Sequence, residues 1–204
     1  MQDIEKSIIN RIRGNGRGWC FTPKDFANLG GTSAVWTSLH RLAKRGYIRR
    51  LSKGLYDFPR THPELGILSP DPDTVTKALS RGASIRIQPT GAYAANLLGL
   101  SEQVPARVVF LTDGAPRRIR IGKSEIILRR TTPRNMVTAG RISGIAIQAL
   151  RFIGKEHINS AQRSMLMNRL SESEKWQLCA DLLYAPGWMR SFLKEICVQE
   201  KPDV

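Results

Sequence analysis

Residues 32–59 read TSAVWTSLHRLAKRGYIRRLSKGLYDFP, and this stretch decides the fold of the first part of the chain. Its first half predicts a helix that starts after Thr32 or Ser33 and is closed by Gly46, since glycine readily adopts the left-handed conformation found after helix ends. At 100° per residue the apolar positions fall in one sector and the polar and basic positions in the opposite one. The inward positions are Val35, Leu39, Leu42 and Ala43.

The second half of the same stretch predicts a β-hairpin. Apolar and aromatic residues flank Ser52-Lys53-Gly54, which is typical of two short strands about a tight turn, and Pro59 ends the second strand. A basic helix followed by a basic hairpin is the arrangement of a winged helix-turn-helix, in which the helix enters a DNA groove and the wing contacts phosphates. The competing interpretations are a solvated helix face and charges that protect a sheet edge. The residues expected to face DNA are Ser33, Thr37, His40, Arg41, Lys44 and Arg45 on the helix and Arg49, Arg50, Ser52 and Lys53 in the hairpin.

Two elements precede the helix. Isoleucines at helical spacing predict a first helix over residues 4–13, and Thr22 followed by Pro23 predicts a short second helix that ends at Gly30 and Gly31. We therefore assign residues 1–60 to a winged helix-turn-helix DNA-binding domain. Residues 61–73, with three prolines and little periodicity, are assigned to a linker.

The net charge indicates a polyanionic partner. The chain has 32 Lys and Arg against 17 Asp and Glu, a formal charge of +15. Up to Arg60 there are 12 basic and 4 acidic residues, so roughly half of the excess lies in less than a third of the chain. Nucleic acid is the favoured partner, because we find neither a signal sequence nor the run of about 18 apolar residues that a membrane span needs. These observations predict a cytoplasmic location without membrane association.

Residues 74–204 predict a mixed α/β C-terminal domain, so that the whole chain belongs to the α+β class. Helices are expected over residues 74–81 and 90–98, the second capped by Thr90, with a short strand at 85–87 between them. Three strand-like runs then predict a small antiparallel sheet, and the pattern is helical from Ile145 onward. In the terminal helices we expect Trp176, Trp188, Phe192 and Leu193 to be core residues.

A second basic cluster lies between residues 117 and 134. Strand alternation places Arg118 and Arg120 on one face and Ile119 and Ile121 on the other, so one face is positive and the other packed. This auxiliary basic surface is consistent with added DNA contact, with an acidic protein partner or with an ordinary solvated sheet face. Its members are Arg117, Arg118, Arg120, Lys123, Arg129, Arg130 and Arg134.

The chain resembles the AbiEi-like antitoxins and related transcriptional regulators of type IV toxin–antitoxin systems. The resemblance lies in LHRLAKRGYIRRLSKGLYDFP (39–59), TGAYAANLLGLSEQVPARVVFLTDG (90–114) and RRIRIGKSEIILRR (117–130), and it covers about residues 1–135. It implies a repressor that binds operator repeats in double-stranded DNA of its own promoter. It also implies a second domain that counteracts a nucleotidyltransferase-like toxin in phage defence.

Catalytic, metal and cofactor sites are not predicted. Three cysteines and three histidines are scattered without ligand spacing, and the cysteines are expected to be free thiols. The glycines of GNGRG follow a helix and not a strand, unlike a dinucleotide-binding fingerprint. Two alternatives stay open: a nucleic-acid-processing enzyme that uses the winged helix for docking, and a protein-interaction module with incidental DNA binding. Because one winged helix binds weakly, we expect homo-oligomers or cooperative binding on DNA.

Overall fold

The computed structural model describes residues 2–122 and 124–197, which form eight α-helices and three small sheets. The predicted α+β class is confirmed. The chain divides into two compact units, the first made of residues 1–85 and 118–126 and the second of residues 86–117 and 127–204. Among the described residues, none of the helices has the length and apolar character needed to cross a membrane.

The first unit has three α-helices and two small sheets. The three-stranded sheet has the order β1-β3-β2 with both pairs antiparallel, and β4 pairs antiparallel with β5. Up to residue 85 its elements are α1 (Gln2–Asn15), β1 (Cys20–Phe21), a 3₁₀ turn (Pro23–Phe26), α2 (Thr32–Lys44), β2 (Arg49–Ser52), β3 (Leu55–Asp57), β4 (Thr61–His62), β5 (Gly66–Ile67) and α3 (Pro72–Ala83).

The apolar core of this unit follows the predicted helical pattern. Ile8 and Ile12 of α1 and Val35 and Leu39 of α2 are almost fully buried in one cluster with the aromatic residues of β1 and the 3₁₀ turn. Gly46 has a φ of +73°, which confirms that it closes α2 in the left-handed region. Burial of one face on each helix thus holds α2 rigidly against α1 and the small sheet.

The second predicted helix is only a single 3₁₀ turn, Pro23–Phe26. Asp25 caps the start of this turn, because its carboxylate accepts hydrogen bonds from the backbone N–H and the hydroxyl of Thr22 at 2.7 and 3.1 Å. The following residues include Gly30 and Gly31, which are poor helix formers. A complete helix up to Gly30, as the sequence suggested, does not form.

Residues 61–85 are grouped with the first unit, whereas our sequence boundaries gave 61–73 to a linker and 74–85 to the second domain. Arg81 of α3 explains the grouping. Its guanidinium donates to the Asp25 carboxylate at 3.2 Å and to the carbonyl of Cys20 at 3.1 Å. Helix α3 is therefore anchored on the same strand and turn that lead into α2.

The largest sheet has four strands in the order β6-β7-β9-β8, with β6 antiparallel to β7. The three predicted runs are confirmed as strands, and β9 lies between β7 and β8. The short strand expected at 85–87 is shifted to 87–89. The strands are β6 (Ile87–Pro89), β7 (Arg107–Thr112), β8 (Arg117–Ile121) and β9 (Ser124–Arg130).

The second unit carries the other five described α-helices. They enclose an apolar cluster centred on Ala146, Leu150, Leu166 and Leu193, each fully buried. These helices are α4 (Gly91–Leu97), α5 (Ile142–Ile153), α6 (Ser160–Arg169), α7 (Glu172–Ala180) and α8 (Gly187–Cys197).

Two expectations about the terminal helices are corrected. Trp176 is 76% exposed and Trp188 is 36% exposed, because both rings lie on the outer sides of short helices whose inner positions are taken by Leu178, Leu193 and other aliphatic residues. Phe192 and Leu193 do pack in the core, as predicted.

The cysteines also differ from the expectation of free thiols. Cys179 at the end of α7 and Cys197 at the end of α8 form a disulfide with a Cα–Cα distance of 5.6 Å. Tertiary folding brings these two positions together across a sequence separation of 18, which no spacing motif reveals. Cys20 is free and buried, and burial raises the pKa of its thiol to about 12.

Candidate nucleic-acid interface

Helix α2 presents a polar stripe to solvent. It begins after Gly31, whose backbone is extended, and its inner face is fixed by Val35, Leu39 and Leu42. Spacing of three or four residues puts the outer residues on one side of the helix. The structure leaves all of the predicted stripe exposed: Ser33, Thr37, His40, Arg41 and Lys44.

The charged groups of Arg41 and Lys44 have no bonding partner among the described residues. Neither side chain makes a hydrogen bond or an ion pair within the described part of the chain. Arginines on other surfaces of the unit behave differently: Arg11 donates to the carbonyl of Asp25 at 2.6 Å, and Arg17 donates to the carbonyl of Pro59 at 3.0 Å. Arg41 and Lys44 are thus free to pair with an external anion.

Arg45 and Arg49 form ion pairs with acidic residues of the same unit. Arg45, which follows the last turn of α2, forms an ion pair with Glu5 of α1. Arg49 donates from Nε to Oδ1 of Asp57 at 3.0 Å and from Nη2 to Oδ2 at 2.6 Å, and also to the carbonyl of Leu68 at 3.0 Å. Asp57 is 1% exposed, so this pairing is what allows a carboxylate to be buried there.

The hairpin still presents basic residues outward. Arg50, the neighbour of Arg49 on β2, is exposed. Its one hydrogen bond within the described residues is a long one, from Nε to the carbonyl of Ser52 at 3.4 Å. Lys53 is exposed in the turn, while Ser52 is partly buried. Strand alternation separates the roles, with Arg49 directed to a buried partner and Arg50 to solvent.

Trp36 is part of this face, and the sequence reasoning missed it. Gly54 in the hairpin turn has a φ of +69°, and a Cβ built there would lie 3.4 Å from Cη2 of Trp36. The indole therefore lies against the turn and braces α2 on the hairpin. The available signal was an aromatic residue next to Thr37, outside the inward sector of the helix.

Charge is one-sided over this part of the unit. Between Asp25 and Asp57 the chain contains no acidic residue. A stretch in which all charged side chains are positive creates a potential that attracts polyanions. The basic residues in it are Arg41, Lys44, Arg45, Arg49, Arg50 and Lys53.

The residues of the second basic cluster are divided between the two units. Arg118 and Arg120 are exposed opposite buried Ile119 and Ile121, as alternation predicted, and Arg120 lies 3.7 Å from Glu125. Burial lowers the pKa of Arg117. Lys123 lies outside the described residues. Arg129, Arg130 and Arg134 are exposed and grouped with the second unit, where Arg129 lines a pocket and Arg130 does not.

A metal centre is not found in the described ranges: no three His, Cys, Asp or Glu side chains are grouped closely enough there to hold an ion.

Comparison with known proteins places this architecture in a family. No curated protein matches the chain. A family model does match, over residues 7–178, a range that includes the later part of α1, all of α2 and the hairpin, and most of the second unit. Because this match covers most of the 204 residues, the chain belongs to DUF6088, a family of unknown function.

Proposed function

We propose that the protein is a DNA-binding transcriptional repressor whose first unit acts as a winged helix. Helix α2 is the recognition helix and the β2–β3 hairpin is the wing. The observation that carries the proposal is the exposed stripe of α2, on which Arg41 and Lys44 have no partner in the described structure, beside a hairpin with Arg50 and Lys53 outward.

The order of elements supports this assignment. Helix α1, strand β1, the 3₁₀ turn, α2 and the β2–β3 hairpin follow one another as they do in winged helices, and β1 completes a three-stranded sheet with the hairpin. The 3₁₀ turn takes the place of the middle helix. A rigid α2 is needed for base contacts, and burial of its inner face supplies that rigidity.

The contacts divide into two kinds. Long cations such as Arg41, Lys44 and Arg50 suit phosphates and guanine edges, whereas the short side chains of Ser33 and Thr37 suit close contacts in the groove. Arg45 and Arg49 are left out of the proposed interface because Glu5 and Asp57 hold them.

The test is binding of the full chain to the DNA upstream of its own gene, measured by fluorescence anisotropy. We expect the triple variant Arg41→Ala, Lys44→Ala, Arg50→Ala to bind at least about 100-fold more weakly, because each lost contact is worth about 1 kcal/mol or more. The matched control removes three exposed cations of the second unit, Lys155→Ala, Arg169→Ala and Lys194→Ala. If both triple variants lose the same amount of DNA affinity, the loss reflects net charge alone and the proposed interface is rejected.

The resemblance to AbiEi-like antitoxins extends the proposal to a toxin–antitoxin pair. In that case the repressor controls its own operon, and its second unit opposes a nucleotidyltransferase-like toxin. The test is a growth assay with a nucleotidyltransferase-like gene from the same operon. If the full chain and the α2 triple variant both restore growth, the antitoxin action belongs to a part of the chain other than the DNA interface. If neither restores growth, the antitoxin action is rejected.

A further inference from the structure

The second unit contains an open pocket of about 440 Å³ that the proposed DNA interface does not use. It lies where the start of α4, strands β7 and β9, the segment after β9 and the end of α5 meet. Pockets of about 300–1,000 Å³ are typical for small ligands. The lining residues are Thr90, Gly91, Leu111, Arg129, Thr131, Asn135, Gln148, Arg151 and Phe152.

The pocket is positively charged and has no acidic residue in its lining. Arg129 makes no ion pair or hydrogen bond within the described residues, and Arg151 donates only to Oδ1 of Asn135 at 3.1 Å. Burial, and after it the positive charge of Arg134, lowers the pKa of Arg151. Two cations that line one cavity without an acidic residue in its lining favour the binding of an anion there.

The floor of the pocket adds a hydrogen-bond donor. Gln148 is 6% exposed, and its Oε1 accepts a hydrogen bond from the hydroxyl of Thr90 at 2.9 Å. Its Nε2 donates to no other group in the described structure. Gln148 is one of the residues that line the pocket, so its amide lies beside the cavity. The nearly buried amide of Gln148 thus lines the same cavity as the two arginines, and its N–H has no partner in the described structure.

The remaining wall is apolar and aromatic. Phe152 is 53% exposed next to Arg151, although the other large apolar residues of its helix are buried or partly buried. An exposed phenyl ring beside a cationic pocket offers a stacking surface for a flat ring. At about 440 Å³ the pocket is larger than one phosphate ion needs and lies in the range that is typical for small organic ligands.

We propose that this pocket binds a nucleoside phosphate. Arg129 and Arg151 pair with the terminal phosphate, the Gln148 amide donates to it, and the base packs against Phe152. Such a phosphate is carried both by a free nucleotide and by the 5′ end of a nucleic acid strand. The inference goes beyond duplex binding by α2, and its test contains no duplex.

The experiment is isothermal titration of the full chain with adenosine 5′-monophosphate, adenosine and orthophosphate. The nucleotide is expected to bind more tightly than either fragment. Arg129→Ala is expected to weaken nucleotide binding about 10- to 100-fold, the effect of losing one charge-assisted hydrogen bond. Phe152→Ala is expected to weaken nucleotide binding and leave orthophosphate binding unchanged. Because Phe152 is exposed, this variant keeps the test valid even if Arg129→Ala disturbs folding.

Arg130→Ala is the matched control, because it removes the same charge from the next position of β9 without touching the pocket. A second series uses a four-nucleotide single strand with and without a 5′-phosphate. If the phosphorylated strand binds more tightly than the unphosphorylated one and Arg129→Ala removes that difference, the ligand is the 5′ end of a strand. If the two strands bind equally while adenosine 5′-monophosphate still binds, the ligand is a free nucleotide. Equal weakening by Arg129→Ala and Arg130→Ala, or nucleotide binding no tighter than that of adenosine, overturns the proposal.

Discussion

Arg49 holds the buried carboxylate of Asp57 by two hydrogen bonds across neighbouring strands, Nε to Oδ1 at 3.0 Å and Nη2 to Oδ2 at 2.6 Å. Asp57 lies on the central strand of the small sheet, between β1 and β2. The guanidinium that the sequence suggested for a phosphate therefore serves the fold of the first unit. Arg50, one residue later, is left to face solvent.

The first prediction separates these two arginines. Arg49→Ala should lower the free energy of unfolding by about 3 kcal/mol, because it leaves the Asp57 carboxylate buried without a partner. Arg50→Ala should change stability by no more than about 0.5 kcal/mol. Urea denaturation measures both. Equal stability of the two variants would mean that the pair contributes nothing to the fold.

The second prediction concerns salt. Lys44→Ala should reduce the slope of log affinity against log salt concentration by about 1, because one phosphate contact and its counter-ion release are lost. Thr37→Ala should weaken binding to the upstream DNA without changing that slope, since the hydroxyl carries no charge. Anisotropy titrations at four or more salt concentrations provide the slopes. An unchanged slope for Lys44→Ala would exclude its contact with phosphate.

The third prediction tests close packing in the second unit. A Cβ built on Gly144 in α5 would overlap the backbone carbonyl of Thr138 and lie 2.5 Å from Oε1 of Gln88, which is fully buried. Gly144→Ala should therefore cost about 2–3 kcal/mol of stability through overpacking. The control is Gly187→Ala at the start of α8, where nothing lies within 4 Å. Thermal unfolding should show a loss for the first variant and none for the second.

The fourth prediction concerns the disulfide between α7 and α8. Reduction should lower the unfolding free energy by about 3 kcal/mol, the value expected for a closed loop with a sequence separation of 18. The double variant Cys179→Ser, Cys197→Ser should show no response to reductant. Cys20 should stay unreactive toward thiol reagents at pH 8 until the chain unfolds, because burial raises its pKa to about 12 and keeps it protonated. Two or more reactive thiols in the native, unreduced protein would contradict the bond.

Much of the first unit follows from local sequence. The apolar spacing of α2, its glycine end and the hairpin turn are all encoded within a few residues of each other, and helix and turn formation depend on such short-range preferences. The alternation of Ile119 and Ile121 with Arg118 and Arg120 was likewise readable, because a strand has a period of two. Nothing local, however, marked α3 as part of the first unit, since Arg81 is anchored on residues more than fifty positions away.

What the sequence determined by itself was the location of the positive charge and the elements that carry it. Only the tertiary structure decided which cations are available, because pairing with Asp57 or Glu5 depends on contacts between residues distant in the chain. The same holds for the pocket, where Arg129 of β9 lines the same cavity as Arg151 and Gln148 of α5. Periodicity specifies the face on which a side chain lies, and long-range packing specifies what that face meets.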